Sequence, residues 1–535
     1  MTSQDRTPSS KSSAFTPKAI LTGCVGAFCV SAGASYATLY LHGSFMALGT
    51  SMPGAIFLLF VLTLMINPLL KLFHPGLGLK RQELLVVYIM MVMASPIPTL
   101  FAGKFLNTII YPFYYATPEN EWRSLILPYI PDWLMPNNPQ VAKMFYEGVG
   151  RDQDVPWKAW TPYFLSWQPF IWSLFLVMIS SMTILRKQWA ENERLIYPLI
   201  QVPLAMTEQT DENERLGAFF KNPVMWAGFA IPAIWGTLHG LYNYFPELIP
   251  IAKDVDPIRM DVSLFRRTAD LYIAFRFNIL GFFYFLKTEI AFSLWFFNLL
   301  SFGMRGVFGY LGISLTETAN AGHAVWNPIQ AYQSMGAMLV LFFVGLWAAR
   351  EHLKSVFRKA FVGDPTVDDS DEILSYRAAV FLLIAGSLVM VGWLWLAGLP
   401  IWVGLAMLLL GAVVIVGYTR VVAEGGLSDG SPPVVPAGIL LSAVGSSVLG
   451  PQALVILATT YLWTEGRNFV MISSAYGLRL GDELGGSRRP LFWVMLLALV
   501  VALVGGIWMT MVLSHKYGAI NLRIWGGGEY NYIEK

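Results

Sequence analysis

The chain has 535 residues, 55% of them hydrophobic and only 13% formally charged, about half the charged share of a typical soluble domain. A water-facing surface on a protein this long needs more charge than that, so the excess apolar side chains are expected to face lipid. The net charge of +2 gives no electrostatic footprint for nucleic acid. The two cysteines, Cys24 and Cys29, exclude a disulfide framework, and no Cys/His spacing suits a metal.

Residues 1–18 are polar and contain Arg6, Lys11 and Lys18, which reads as a disordered cytoplasmic tail. The apolar run from Ala19 to Leu41 reaches the roughly 20 residues needed to span a bilayer. It is read as an uncleaved first helix, although Ser35-Tyr36-Ala37 loosely resembles a signal cleavage site. Further apolar runs fall near 45–70, 83–110, 162–185, 222–245, 271–286, 288–312, 333–349, 376–397, 399–419, 436–463 and 491–513. That makes about twelve segments. Unpaired backbone groups are not tolerated in hydrocarbon and barrel alternation is absent, so the expected class is all-α, a polytopic transmembrane helical bundle.

The expected organisation is a first transmembrane group to residue 110, an external cap over 111–160, a second group over 161–349, a cytoplasmic loop over 350–375, a C-terminal group over 376–513 and a tail over 514–535. Basic residues in short loops set orientation. The N-terminal tail, Lys71, Lys80 and Arg81, Arg186 and Lys187, and the cluster Arg350, Lys354, Arg358 and Lys359 all fall on the inside by this rule. The cap holds Trp122, Trp133, Trp157 and Trp160 among many prolines, as expected of chain lying at the membrane interface. The runs around Lys287 form a hairpin in this topology. The run 436–463 breaks the rule if it crosses once, because Arg467, Arg479, Arg488 and Arg489 would then lie outside. Gly450-Pro451 at its centre ends a helix, so two half-helices that enter and return, or a kinked span, are the readings open.

A charge at membrane depth costs about 2.5–3.5 kcal/mol on insertion scales, so each needs a reason. Lys104 follows the helix-disrupting Ser95-Pro96-Ile97-Pro98-Thr99; it either reaches the freed carbonyls or an anionic solute, or snorkels to the interface. Arg276 has apolar neighbours on both sides, with Glu289 as its expected partner across the hairpin. The polar stretch Thr316 to His323 reads as a solvated loop or a gate. The strongest signal is Tyr418-Thr419-Arg420-Val421-Val422-Ala423-Glu424-Gly425-Gly426. Arg420 and Glu424 stand four apart on one helical face, Gly-Gly ends the helix, and Asp429 follows in an irregular polar stretch leading to Gly450-Pro451. Helix ends, carbonyls and a carboxylate meeting there suit a zwitterion or a coupling cation; a helix cap with a surface salt bridge is the plain alternative. A second element, Arg186 followed by Ala190-Glu191 and then Leu195-Ile196-Tyr197-Pro198, echoes Arg420 followed by Ala423-Glu424.

Leu195-Ile196-Tyr197-Pro198 after a spanning helix resembles the Leu-x-Tyr/Phe-Pro element of the oligopeptide transporter superfamily, and the broken 420–452 region is similar in style. Bacterial membrane proteins grouped with those transporters are similar too. The chain departs from that pattern after Pro198, where Leu-Ile-Gln stands in place of a Gly-rich run. The resemblance implies a multi-pass secondary transporter of the bacterial inner membrane, driven by protons.

The functional expectation is therefore a transporter of a small polar or peptide-like solute, not an enzyme, needing no cofactor or metal. Candidate binding residues are Arg420, Glu424, Asp429, Arg276, Glu289 and Lys104. Its partners are the lipid bilayer and the solute, with a second copy or membrane-complex subunits beside them. Two other classes compete. A scaffold subunit fits the aromatic cap and a docking strand at Ile524 to Tyr532. A membrane enzyme acting on a lipid-linked substrate would need convergent acids, and Glu119, Glu121, Asp132 and Asp152 lack the spacing.

Overall fold

The computed structural model describes residues 14–43, 45–47, 49–150, 154–208, 216–247, 256–265, 269–313, 328–464, 467 and 469–523. The expected tail up to residue 13, Asp152, the Thr316–His323 loop and the docking strand from Ile524 lie outside the described residues.

Proline and capping side chains start many of the helices. Thr16 accepts the Ala19 N–H ahead of α1, Pro17–Leu39, and Pro53 opens α2, Pro53–Phe73, at its first position. The run 83–110 is not one helix. It divides into α3, Arg81–Ala94, a π-helical turn over Pro98–Gly103, and α4, Lys104–Tyr114. The break falls at Pro96-Ile97-Pro98, where missing N–H donors disrupt the ladder. The cap carries α5, Pro139–Glu147, and delivers the chain to α6, Trp157–Lys187. Next come the short α7, Gln201–Thr207, and α8, Pro223–Tyr242.

The expected membrane segment 271–286 is replaced by a small antiparallel hairpin and a short helix. β1, Ile258–Leu264, pairs with β2, Ala269–Phe275, with Asp261 opposite Tyr272, and α9, Phe277–Phe283, follows. Alternation of Leu271, Ile273 and Phe275 with Asp270, Tyr272 and Ala274 is the strand period, which mean hydropathy does not register. After it run α10, Thr288–Tyr310; α11, Pro328–Ala348; α12, Arg350–Val362; α13, Tyr376–Leu396; and α14, Ile401–Gly425. The run 436–463 becomes α15, Pro436–Val444, and α16, Ser446–Thr464, which is itself broken at Gly450 (φ +75°). The last helices are α17, Val470–Gly481, and α18, Arg489–Tyr517.

Among the described residues nine helices are long and apolar enough to cross a membrane: α1, α2, α6, α8, α10, α11, α13, α14 and α18. The molecule is a multi-pass helical membrane protein. The other three expected segments are the broken runs 83–110, 271–286 and 436–463.

Helices in lipid gain little from apolar burial, so close packing and hydrogen bonds hold them. α1 lies against α3 and α18. At Gly506 the backbone of α18 comes so close that an added Cβ would stand 2.9 Å from the Ser31 hydroxyl, and Ser31 Oγ donates to the Ala502 carbonyl at 2.6 Å. α6 packs along α13. Trp167 and Trp393 meet there with ring centroids 4.5 Å apart. The Trp167 N–H donates to the Leu134 carbonyl, which ties the cap to the bundle, and the Trp393 N–H donates to the Ser166 carbonyl of α6, both at 2.9 Å. The cap is also fastened to the end of α18, where Val149 N–H donates to the His515 carbonyl at 2.7 Å.

Candidate functional site

Three irregular segments meet inside the bundle. The first is the turn ahead of α2, where Thr50, Ser51 and Met52 are all buried. The second runs from the end of α6 to Pro198. The third is 426–435, between α14 and α15. The Thr50 hydroxyl donates to the Leu427 carbonyl, and Ser51 N–H donates to the Ser428 carbonyl at 3.1 Å. Tyr197 N–H donates to the Ala423 carbonyl at 3.0 Å. These segments supply one another's backbone partners, as irregular chain inside a membrane protein must.

Each segment turns through left-handed backbone. Met52 has φ +52° and Tyr197 φ +51°, and each precedes a proline that opens a helix. Such backbone costs a non-glycine residue about 1–3 kcal/mol and gathers at functional sites. Gly426 (φ +54°) does the same without penalty, and its missing Cβ leaves room for Pro198, which an added methyl would meet at 2.6 Å. Tyr197-Pro198, the chain that follows the first half of the sequence echo, is thus in direct contact with Ala423–Gly426 at the second.

Beside this junction lies a layer of buried hydroxyls. Tyr418, Ser428, Ser473 and Tyr476 are each at most 3% exposed, and none of their side-chain oxygens has a hydrogen-bond partner. The Tyr418 hydroxyl faces Gly430, where an added Cβ would sit 3.0 Å from it, and its ring lies 6.2 Å from that of Phe469, which precedes α17. Tyr197 is buried too; burial holds its phenol above the usual tyrosine range, so it stays a neutral donor at physiological pH.

An ionic network stands at the end of the same elements. Arg186, 3% exposed at the end of α6, grips the fully buried Glu372 in a two-pronged pair at 2.8 and 2.9 Å. Its Nη1 reaches Asp482, and Nη2, shared with Glu372, also reaches Glu191, both at 3.1 Å. Asp482 also receives Arg479 at 2.7 Å and Arg488 at 2.8 Å. Gln188 donates to Glu193 at 2.8 Å, and Glu193 takes Arg420 of α14 at 2.5 Å. The ends of α6, α14 and α17 and the start of α18 are therefore joined through charges and one amide.

The expected site residues are only partly brought together. Arg420 sits at the junction, but its ion partner is Glu193 rather than Glu424. The helical i,i+4 rule offers Glu424, whereas the π-helical turn over Gln188–Asn192 carries Glu193 to the guanidinium. Two Arg420 nitrogens, Nε and Nη1, are buried without a hydrogen-bond partner. Glu424 is half-buried beside them on α14. Asp429 is exposed and pairs with Arg467 at 3.6 Å, so the excursion through α15 and α16 starts and finishes at one place. Arg276 and Glu289 belong elsewhere. Arg276 closes the β-hairpin on Asp256 at 3.1 Å, and Glu289 lies in the first turn of α10. The membrane hairpin meant to join them is the strand segment described above. Lys104 is buried, 3% exposed, at the start of α4; it does not snorkel. Glu372, Tyr197 and Met52 were missed as site residues. The signal for two of them is present, a bulky residue before the prolines of Met52-Pro53 and Tyr197-Pro198. Among the described residues no group of acidic, histidine or cysteine side chains could hold a metal ion.

The profile of a family of unknown function, DUF6785, matches residues 9–531, so the chain belongs to that family. No curated protein and no solved structure matches it.

Proposed function

We propose that this member of a family of unknown function is a secondary transporter, and that its solute binds among the buried hydroxyls of Tyr418, Ser428, Ser473 and Tyr476. The observation that carries the reading is the buried, non-helical stretch 426–435. Val434, Val435 and Ser428 within it are at most 2% exposed, so irregular backbone runs through the protein interior. Chain of this kind is tolerated at membrane depth only where it lines protein or a water-filled cavity, and transporters build solute sites from it.

Three further features fit. α15 is nine residues long, roughly 14 Å, too short to cross hydrocarbon of about 30 Å. With the two ends of the excursion through α15 and α16 joined at Asp429 and Arg467, these helices read as a re-entrant hairpin, which also keeps Arg467, Arg479, Arg488 and Arg489 on the inner side. The hydroxyl layer is uncharged, and the ion pair whose field reaches Tyr418, Asp429 with Arg467, is internally balanced. A small solute without net charge suits it, because a buried net charge there would lack a counter-ion. The Arg420–Glu193 pair and the Arg186 network close one end, and parting them opens the site. The sequence carries no phosphate-binding loop, so an ion gradient, of protons in this reading, supplies the drive.

Proteoliposomes enclosing a pH-sensitive dye test this with a panel of polyols, amino acids and short peptides. Solute-dependent proton entry is expected, reduced at least tenfold by Tyr418→Phe. If no solute in the panel moves protons or crosses, and the protein leaves native membranes only with stoichiometric partners, the scaffold reading replaces this one.

A further inference from the structure

We propose that the outward stripe of α12, formed by Arg350, Lys354, Phe357 and Phe361, binds the headgroups of anionic phospholipids. The four residues step by four, three and four, so they share one helical face. An adjoining face is already covered: Val356 and Ala360 are buried against Ile184 of α6 and Tyr376, Ala379 and Val380 of α13. The stripe itself is open, with Phe357 42% and Phe361 60% exposed.

Its position ties it to the bilayer. α12 follows α11, a helix of spanning length, after the single residue Ala349. Trp347 at the end of α11 is 70% exposed, and the Arg350 guanidinium lies 5.0 Å from its ring. At the other end the Phe361 ring stands 5.9 Å from Phe381, an exposed residue in the second turn of α13. The aromatic part of the stripe is therefore continuous with the lipid-facing side of a spanning helix. Tryptophan and phenylalanine belong at the acyl boundary there, and the long cationic side chains reach the phosphates above it.

Charge favours a lipid phosphate as the occupant. α12 carries Arg350, Lys354, Arg358 and Lys359 against one acid, Glu351. In the acidic segment after it, four of the five carboxylates make local contacts away from the stripe. Asp364 accepts the Thr366 N–H and pairs with Arg358 at 3.5 Å, Asp368 accepts the Ser370 N–H, Asp369 accepts the Tyr376 N–H, and Glu372 is held by Arg186. Arg350 lies 3.8 Å from Glu351, but both are exposed, and such a pair is weak against water. Basic clusters just inside a membrane-spanning helix attract acidic lipid at about 1 kcal/mol per Lys or Arg, roughly fivefold in affinity.

Native mass spectrometry of the full chain, titrated with phosphatidylglycerol or with phosphatidylcholine, tests the proposal. The first phosphatidylglycerol should bind more tightly than phosphatidylcholine. Arg350→Gln with Lys354→Gln should weaken it by about 25-fold, the product of two fivefold steps. Arg350→Lys with Lys354→Arg keeps the charge and should keep the affinity, which separates lost charge from a damaged fold; Glu351→Gln should tighten binding. Equal affinity for the two lipids overturns the proposal. So does unchanged phosphatidylglycerol binding in the double Gln variant, loss of binding in the charge-keeping variant, or displacement of the lipid by millimolar inorganic phosphate, which would mark a site for a soluble anion.

Discussion

Arg186 is the residue whose surroundings explain most about this structure. A guanidinium that is 3% exposed has lost its water, and only the fitted carboxylates of Glu372, Asp482 and Glu191 offset that loss. Removing one partner leaves an uncompensated charge inside the protein. Glu372→Gln should destabilise the fold by about 3–5 kcal/mol, seen as a lower midpoint of thermal unfolding in detergent. Replacing the pair together, by Arg186→Met with Glu372→Leu, should recover much of that loss, since Arg479 and Arg488 still serve Asp482. A single variant that melts with the wild type would show that the pair is not buried in the folded protein. Gly426→Ala should also destabilise, by about 1–2 kcal/mol for the left-handed backbone alone and further for the clash with Pro198; unchanged thermal stability would contradict the close junction. At this scale the sequence was half legible. Arg186 was visible as the basic end of an apolar helix. Glu372 was not, because it lies 186 positions away in a segment that reads as an ordinary acidic loop.

Among elements, the contact between the 195–198 turn and the end of α14 is the feature that gives the sequence echo a physical meaning. Arg420 and Glu193 are each 18% exposed, so their pairing is partly desolvated and its loss should be felt. In the proteoliposome assay Glu193→Gln should cut solute-driven flux, and exchanging the two charges, Glu193→Arg with Arg420→Glu, should restore part of it. Two single variants whose effects simply add, with no recovery in the exchange, would show that the pair is uncoupled. Helix breaks were the most legible feature at this scale, because proline and glycine write them directly. Pro96-Ile97-Pro98 and Gly450-Pro451 both interrupt helices where the sequence placed them. Strand and partner choice were not. Ala269–Phe275 is apolar enough to pass for membrane chain, and only its two-residue period separates it from a helix. The pairing of Arg276 with Asp256 follows from that hairpin, so the expected link to Glu289 failed with the segment that was to carry it.

At the scale of the whole molecule, the ends of the helices divide by charge. Arg81 with Glu483, Arg186 with Glu372, Arg420 with Glu193 and the arginines around Asp482 gather where α3 and α18 begin and where α6, α14 and α17 end. The aromatic cap fastens the start of α6 and the end of α18 at the other. Composition and hydropathy were enough for nine of the helices, because these follow from bulk preference for lipid. The interior junction depends on which irregular segments meet, and no local pattern encodes that. The central claim, that the 426–435 stretch lines a pathway opening alternately to the two sides, is tested most directly by a cysteine at Ser428. In a background of Cys24→Ser and Cys29→Ser, Ser428→Cys should react with a membrane-impermeant maleimide applied to either face of oriented vesicles, and Glu193→Gln, which removes the ion pair with Arg420, should speed the reaction from the face where Arg81 and Glu483 lie. A cysteine at 428 that stays unreactive from both faces would contradict the pathway.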